Sequence, residues 1–426
     1  MRISKSRKAH LAQFVTDGCG SFRRNDGKVL MLVKAIEKRI TDWLDDNTSA
    51  LTGLLEQLVN TDSFSTDKVG VDAAGRVIQD YLKAYRVGVA VHSDATYGDA
   101  LVARVGSGGK PILLMGHRDT VFPTGEAQRR SFKIVDDRAY GPGVNDMKAG
   151  VAINAVLLAA FQSSFENPPP IVGLFTGDEE LASPFSRPLI ESFARNSCAV
   201  FNSEPARVSG NVVIGRKGGR FMLIEVFGKP AHSGVNFFDG VSAVNELAAK
   251  IRALNTITDA ETGTTLNVGL VRGGQTVNTV APYAAAELDL RFVDPEASNT
   301  AMLKVEEIVF SNSHAALSSK LTINGEFLPL VATPQTRALF NVYREAAASL
   351  GITLDGEFTG SCADSGFAGA QGVPTLCGTG AVGDKSHTPD EYILIDTLLQ
   401  RAKVLSIAIC RVLEGGGSRL LAAEVA

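Results

Sequence analysis

The sequence has little cysteine, and its cysteines show no pairing pattern. They number five, an odd count, and none are spaced as CxxC, which argues against a disulfide framework and against a thiolate zinc site. They are Cys19, Cys198, Cys362, Cys377 and Cys410. No histidine and asparagine pattern accompanies Cys362 in its glycine-rich loop, so a cysteine nucleophile is not expected. Most of these thiols are predicted to be buried and free.

Long apolar runs and long basic runs are also missing. Nowhere do roughly 18 apolar residues follow one another, as a membrane span requires, and residues 1–30 lack the apolar stretch of a signal peptide. The body of the chain has no long basic run and the formal net charge is −4, so nucleic acid is not an expected partner. We therefore predict a cytoplasmic protein, without a membrane partner, that acts on small molecules or short peptides.

The composition that remains is typical of a loop-rich α/β protein. Of 426 residues, 45% are hydrophobic, 21% are charged and 42 are glycine, which argues against a disordered or fibrous chain. The length predicts two or three domains. An amphipathic helix begins at Met31, so the basic residues 1–30 are predicted to be a disordered extension before the folded unit.

Strands and helices alternate along the chain in two distinct blocks. In residues 31–214, short apolar runs alternate with helix-spaced segments, which is typical of right-handed crossovers in a parallel or mixed sheet. Residues 215–326 change to a βαββαβ order, which predicts an inserted ferredoxin-like unit. Residues 327–426 return to helix and buried strand, so the first domain is predicted to close around the insertion.

Polar side chains directly follow several of the apolar runs. They are His117 and Asp119 after "PILLM", Glu179 and Glu180 after "IVGLFT", Glu204 after "AVF", His387 beyond "TLCGTG", and Asp146 at a predicted helix start. Ligands bind at the carboxyl ends of strands in open α/β sheets, so these side chains are expected to converge. Imidazoles and carboxylates together suit zinc, with cobalt or manganese as possible substitutes.

The stretch "GDEELASPF" places three acidic residues where a buried strand ends. Desolvation and mutual repulsion both oppose such a cluster. One or two bound divalent cations would reverse this cost. We therefore predict that a metal neutralises the charges of Asp178, Glu179 and Glu180.

Six motifs in order resemble those of the M20 metallopeptidases. They are "GHRDTV", "GPGVNDMKAG", "TGDEELAS", "SEP", "GKPAHSG" and "SHTPDEYI". The series is most similar to the glutamate carboxypeptidase (carboxypeptidase G2-like) branch, beside the acetylornithine and succinyl-diaminopimelate deacylases, and it covers roughly residues 31–412. The resemblance implies a mixed-sheet α/β/α zinc-peptidase domain with an inserted ferredoxin-like α+β dimerisation (lid) domain.

The resemblance also implies a centre with two Zn²⁺ per chain. The ligands would be His117, Asp146 and Glu204 around one ion, and Asp146, Glu180 and His387 around the other. Asp119 would orient the ring of His117. Glu179 would act as the general base for a metal-activated water that attacks an amide carbonyl.

Residues of the inserted unit would complete the site. His232 matches a family histidine that stabilises the oxyanion in the partner subunit's site, so the resemblance implies a homodimer. Asn278 and Arg291 match positions that hold the substrate's carboxylate, and Gly360 would supply glycine-permitted backbone beside it. A capping loop histidine, a turn asparagine and a surface arginine without function are the alternative interpretations.

The predicted function is a dizinc carboxypeptidase or amidohydrolase that cleaves a peptide or N-acyl amide bond beside a free carboxylate. A dizinc aminopeptidase, a deacylase of another M20 branch, and a catalytically silent dimeric binding protein are the alternatives. The silent alternative predicts a lost ligand or base, whereas every such position is present.

Overall fold

The computed structural model describes residues 27–414. Cys19, most of the predicted N-terminal extension and the residues after 414 lie outside the described part. The chain divides into two compact units. The first runs up to Gly215 and includes Ala332–Phe358 and the chain from Phe367 onward, and the second comprises Arg216–Val331 and Thr359–Gly366.

The described part of the first unit starts with two helices. A helix spans Gly27–Asp46 and another Thr48–Val59, so the predicted disordered extension is wrong for residues 27–30. The segment ahead of Met31 contains no proline and can propagate the helix backward. The other helices of this part of the chain are Lys68–Ala84, Glu126–Arg129, Ala149–Ser164, Arg187–Arg195, Pro334–Ser349, Ser365–Gly369 and Ile395–Glu414.

An eight-stranded mixed sheet forms the centre of the first unit. Its strands are β1 (Gly88–His92), β2 (Ala100–Val105), β3 (Ile112–His117), β6 (Ile171–Thr176), β7 (Ala199–Asn202), β8 (Val212–Arg216), β13 (Gly356–Thr359) and β14 (Thr375–Cys377). Their order is β1-β2-β6-β3-β7-β14-β8-β13. Strand β3 runs parallel to β6 and β7, whereas β1 and β2 pair antiparallel. The predicted mixed-sheet α/β fold is confirmed.

Strands β3 and β6 are buried at every position, as continuous apolar strands covered on both faces should be. The helix Ala149–Ser164 is apolar on all sides and nearly all of it is buried in the core of the first unit. Among the described residues, Val144–Ser164 alone is long and apolar enough to cross a membrane, but nearly all of it is buried inside the protein. It is a core helix.

The second unit has the predicted βαββαβ order. Its strands are β9 (Gly218–Phe227), β10 (Thr265–Gly273), β11 (Tyr283–Phe292) and β12 (Ser318–Phe327), and its helices are Ala243–Leu254 and Pro295–Phe310. The strands pair antiparallel in the order β10-β11-β9-β12, as in a ferredoxin-like sheet. The apolar residues of both helices pack with the sheet in a core of their own.

The second unit begins one residue later and ends five residues later than predicted, at Arg216 and Val331, and it also includes one distant segment. The sequence assigned Thr359–Gly366 to the first domain, but the structure places it in the second unit. The amide of Lys217 donates to the carbonyl of Thr359 at 3.1 Å, and Nη1 of Arg216 donates to Oγ of Ser361 at 2.8 Å. These contacts join residues distant in sequence, which local patterns do not reveal.

A third, four-stranded sheet was not predicted. It orders β15 (Gly383–Asp384), β16 (Tyr392–Leu394), β5 (Arg138–Tyr140) and β4 (Lys133–Val135). Because β16 pairs with β5, the final helix begins only at Ile395. The loop between β15 and β16 carries His387.

Candidate metal centre

Three adjacent strands end beside the candidate site. His117 is the last residue of β3, while Glu179 follows β6 and Glu204 follows β7. Since β3 is parallel to both neighbours, their carboxyl ends lie at one edge of the sheet, where α/β folds bind ligands.

Asp146 lies in an irregular segment, Val144–Lys148, ahead of the core helix. Its φ and ψ of −112° and 97° are not helical, and the helix begins only at Ala149, so the prediction that Asp146 starts the helix is wrong. Its Oδ1 lies 3.2 Å from Nε2 of His117, and its Oδ2 lies 3.5 Å from Nε2 of His387. One carboxylate thus faces two imidazoles, each with a different oxygen.

The remaining carboxylates surround the same two rings. Nε2 of His117 lies 3.5 Å from Oε1 of Glu204 and 3.8 Å from Oε2 of Glu179. Nε2 of His387 lies 3.3 Å from Oε1 of Glu180. Ligand atoms within 4.8 Å of one another form two overlapping groups, His117 with Asp146 and Glu180, and His117 with Glu179 and Glu204. Glu180 falls in a group with His117, but its Oε1 lies closer to Nε2 of His387. Glu180 and His387 are partners in the second predicted ligand set.

The donor set fits a divalent cation. Oε1 of Glu180 is buried, and Nε2 of His387 lies 3.3 Å from it. Burial raises the pKa of Glu180 to about 7, although His387 partly offsets this effect. A cation beside such an oxygen would stabilise its charged form, and the nitrogen and oxygen donors are those that zinc accepts.

Neighbouring carboxylates favour the charged form of both histidines. The pKa of His387 is raised to about 10 by hydrogen bonds to Asp146 and Glu180. Burial lowers the pKa of His117, but nearby carboxylates, with Glu179 foremost, outweigh burial and raise it. A histidine must be neutral to bind a metal, so metal and protons compete for these rings.

Asp119 contacts the site on two sides. Its backbone carbonyl accepts a hydrogen bond from Nδ1 of His117 at 3.1 Å, which leaves Nε2 free to bind a metal. Its carboxylate accepts the amides of Glu179 and Glu180, each at 3.2 Å, and the hydroxyl of Ser65 at 2.8 Å. The sequence predicted that Asp119 orients His117. It did not predict that Asp119 also accepts hydrogen bonds from the backbone of Glu179 and Glu180.

Asp178 does not belong to the acidic cluster around the histidines. Its Oδ2 accepts the amides of Phe185 at 2.7 Å and Ser186 at 3.0 Å, so neutralisation by a metal does not account for this residue. Burial raises the pKa of Asp178. Glu179 and Glu180 occupy a 3₁₀ turn, Glu179–Leu181.

His387 lies in a tight turn between β15 and β16. Its φ of 65° is left-handed, as is the φ of 60° at Lys385. The amide of Thr388 donates to the carbonyl of Lys385 at 3.1 Å. The His387 side chain is 50% exposed, so this ligand can be reached from solvent while His117 is fully buried.

Three buried charged residues near the site were given no role from the sequence. Arg118 is fully buried and donates to the carbonyls of Phe175 and Thr176 at 2.9 and 3.0 Å. Lys148 donates to the carbonyl of Thr61 at 2.9 Å, and burial lowers its pKa to about 8. Glu391 accepts three backbone amides, and burial raises its pKa to about 7. Each of them lies within a motif that also carries a candidate ligand, which was the available signal.

His232 belongs to the second unit and is exposed. Its Nδ1 accepts the amides of Gly234 at 3.1 Å and Val235 at 3.2 Å. A neutral imidazole whose Nδ1 accepts hydrogen bonds carries its proton on Nε2. The local loop therefore prepares an outward N–H donor.

The predicted carboxylate-binding residues also lie in the second unit. Nε and Nη2 of Arg291 donate to Asp289 at 2.7 and 3.0 Å, and its Nη1 donates to Sγ of Cys362 at 2.7 Å. Oδ1 of Asn278 accepts the hydroxyl of Thr276 at 2.8 Å. The backbone of Gly360 is not left-handed and a Cβ would meet nothing within 4 Å, so the predicted need for glycine at this position is wrong.

Comparisons with known proteins agree with this architecture. The model of peptidase family M20/M25/M40 matches residues 113–411. Carboxypeptidase G2 from Pseudomonas sp. (strain RS-16) is 28% identical over 369 residues, which are 84% of this chain and 88% of that protein. Acetylornithine deacetylase from Erwinia tasmaniensis is 26% identical over 80% of this chain and 92% of that protein.

A solved structure supports the fold. An M20 family metallo-carboxypeptidase from Sulfolobus solfataricus superposes with a TM-score of 0.69 at 18% identity, covering 85% of this chain and 99% of that chain.

Proposed function

Because this chain belongs to peptidase family M20/M25/M40, and is thus a metal-dependent hydrolase of the carboxypeptidase, deacetylase and peptidase type, we propose that it is a dizinc amidohydrolase. We propose that it cleaves a peptide or N-acyl amide bond beside a free carboxylate. The similarity to carboxypeptidase G2 over most of both chains supports this choice.

The observation that carries the proposal is the position of Asp146. Its two oxygens face His117 and His387 separately, at 3.2 and 3.5 Å. A carboxylate between two imidazoles can bridge two cations, with Glu204 and Glu180 completing the two ligand sets.

Glu179 is the proposed general base. Its side chain is only 9% exposed, and its backbone is held by Asp119. Bound zinc would supply a Lewis acid that acidifies water and polarises the amide carbonyl. Oε2 of Glu179 would then accept the proton from water and return it to the departing amine.

The second unit would supply substrate contacts and dimer contacts. The exposed Nε2–H of His232 suits donation to an oxyanion, and Arg291 suits a carboxylate.

An exposed apolar cluster flanks the His232 loop and comprises Val235, Phe237, Phe238 and Val277. The amide of Ser233 donates to the carbonyl of Asn278, which brings the two stretches of the cluster together. We propose that this cluster packs against a second copy of the chain.

Substrate profiling tests the reaction. Zinc-loaded protein would be assayed with N-acyl amino acids, N-blocked dipeptides and free dipeptides, each with a C-terminal carboxylate or amide. Turnover is expected for blocked substrates that have a free carboxylate. Glu179→Gln should lower kcat by about 10²–10⁴-fold, whereas Glu345→Gln, on an exposed helix face, should have no effect.

The alternatives predict other results. An aminopeptidase would require a free amine and tolerate an amidated carboxyl end. A binding protein would hold metal and turn over none of the panel. The role of Arg291 is tested by Arg291→Lys, which should raise KM for carboxylate substrates and not for their amides, since lysine lacks the bidentate fork.

The dimer is tested by light scattering after size exclusion. Phe238 is 97% exposed, and Phe238→Asp is expected to yield monomers. Val69→Asp, at a residue of the first unit that is 75% exposed, is the control and should leave the mass unchanged. A monomeric unmodified protein would refute the proposed dimer.

A further inference from the structure

Glu391 joins two segments that carry candidate metal ligands. Its side chain is fully buried. Its Oε1 accepts the amides of Asn145 at 2.8 Å and Asp146 at 2.9 Å, and its Oε2 accepts the amide of Gly143 at 3.1 Å. Glu391 lies on the same β15–β16 loop as His387. Its carboxylate therefore holds the backbone of Asp146 against the loop that carries His387.

A second contact links the same two segments. Nδ2 of Asn145 donates to Oγ of Ser386 at 2.8 Å, and Ser386 directly precedes His387. A Cβ at Gly383 would overlap Oδ1 of Asn145, so the glycine permits this close approach. The loop and the segment around Asp146 are thus in contact along several residues.

The segment around Asp146 needs these acceptors because no regular structure satisfies its amides. It precedes the first turn of the helix Ala149–Ser164, and its φ and ψ are not helical at Asp146. Buried amides without a carbonyl partner require another acceptor. Glu391 provides that acceptor for three of them with one side chain.

We propose that Glu391 is a positioning residue that sets the separation between Asp146 and His387 and so determines zinc affinity. This inference rests on the proposed function, because it requires both residues to be ligands. Glu391 itself faces backbone amides and no ligand atom, so we assign it no role as a ligand or base. Loss of its carboxylate should loosen the ligands on both sides of the second metal.

Zinc binding by the full chain tests the proposal. Glu391→Gln keeps the side-chain volume but directs an NH₂ donor toward backbone N–H donors, so at least one amide loses its acceptor. Competition against a chromophoric zinc chelator should show zinc affinity lowered by about 10–100-fold, as for other groups that orient ligands. Asp390→Asn is the matched control, because it removes the same charge from the same loop at a side chain that is 76% exposed. It should bind zinc as the unmodified protein does.

The outcomes separate the two proposals. If the unmodified protein binds two zinc ions and Glu391→Gln binds them with the same affinity, the positioning role is refuted and the hydrolase proposal stands. A lower melting temperature of the metal-free variant with unchanged affinity has the same meaning, since it reports stability alone. If the unmodified protein binds no zinc, both proposals fail.

A folding defect would not end the test. If circular dichroism shows that Glu391→Gln is unfolded, Ser386→Ala removes only the hydrogen bond from Asn145 and leaves the carboxylate in place. Its zinc affinity should fall by a smaller factor. An unchanged affinity in Ser386→Ala would then refute the inference that contact between the two segments sets the site.

Discussion

Single residues in this centre often contact two different groups. Asp146 presents one oxygen to each of two histidines, and Asp119 holds His117 with its carbonyl and the glutamate turn with its carboxylate. Hydrogen bonds to charged groups are stronger than neutral ones and fix geometry. The protein itself therefore holds these candidate ligands in place.

Asp119→Asn tests this role at the residue scale. The amide group would set an N–H donor against the amide of Glu179 or Glu180, so the turn should shift. Zinc affinity is expected to fall by about 10–100-fold, measured by chelator competition. Ser65→Ala, which removes one donor to the same carboxylate, should have a smaller effect. Equal affinity in Asp119→Asn and the unmodified protein would contradict the assignment.

At the scale of elements, the site depends on close approach between the core helix and strand β7. A Cβ on Gly150 would overlap the backbone carbonyl of Ser203, which precedes Glu204. Backbone cannot yield as a flexible side chain can. Packing matters in the second unit too. Lys250, on the helix Ala243–Leu254, forms a buried ion pair with Glu246 and donates to the carbonyl of Ser311, at the end of the helix Pro295–Phe310.

Gly150→Ala should destabilise the protein by about 1–3 kcal/mol through overpacking. The measurement is denaturant unfolding of the metal-free protein. Gly53→Ala is the matched control in the helix Thr48–Val59, because a Cβ there meets nothing within 4 Å. It should stabilise by up to about 1 kcal/mol. A Gly150→Ala protein as stable as the Gly53→Ala protein would show that the approach is not tight.

The buried pair of Glu246 and Lys250 predicts a pH dependence. Lys250 lies 2.9 Å from Glu246 and donates to the carbonyls of Ile308 and Ser311 at 3.1 and 2.7 Å. Burial alone would raise the pKa of Glu246, but hydrogen bonding to Ser313 and the lysine cation outweigh it and lower the pKa. Glu246→Gln leaves a buried lysine unpaired, which should cost about 3 kcal/mol at pH 7.

The sign of this dependence follows from the lowered pKa. The stabilisation by Glu246 is present above its unfolded pKa of about 4.3 and is lost as the pH falls through the lower folded value. Unfolding curves of Glu246→Gln and unmodified protein should therefore converge in acid. Glu306→Gln, on an exposed face of the helix Pro295–Phe310, should match the unmodified protein at every pH.

At the scale of the whole molecule, all candidate metal ligands lie in the first unit, and the proposed substrate-binding residues lie in the second. The candidate centre brings several carboxylates close to the two imidazoles, and a bound cation would offset their mutual repulsion. A metal that binds only the folded state stabilises that state against unfolding, by mass action.

Chelation should therefore lower the melting temperature. Zinc at about 100 times its Kd stabilises by about 2.7 kcal/mol, and calorimetry with and without a chelator measures the shift. Re-addition of zinc should restore the original transition, and Glu180→Gln should show a smaller zinc-dependent shift. An identical melting temperature in both states of the unmodified protein would contradict metal binding by the folded chain.

The sequence by itself determined the alternation of strands and helices, the ferredoxin-like order of the insertion and the residues that follow the central strands. Those features follow from local periodicity and from the rule that parallel strands end at one edge. The motif series was sufficient to identify the family, which the match to residues 113–411 confirms.

Only the tertiary structure decided how those residues divide their roles. It separated Asp178 from Glu179 and Glu180. It brought the His387 loop to Asp146 through an unpredicted third sheet. It also revealed that Glu391, on that loop, accepts the backbone amide of Asp146. The position of the His387 loop and the role of Glu391 depend on contacts between segments more than 200 residues apart, as between Asp146 and Glu391. No local pattern encodes such contacts, because they are set by the packing of the complete core.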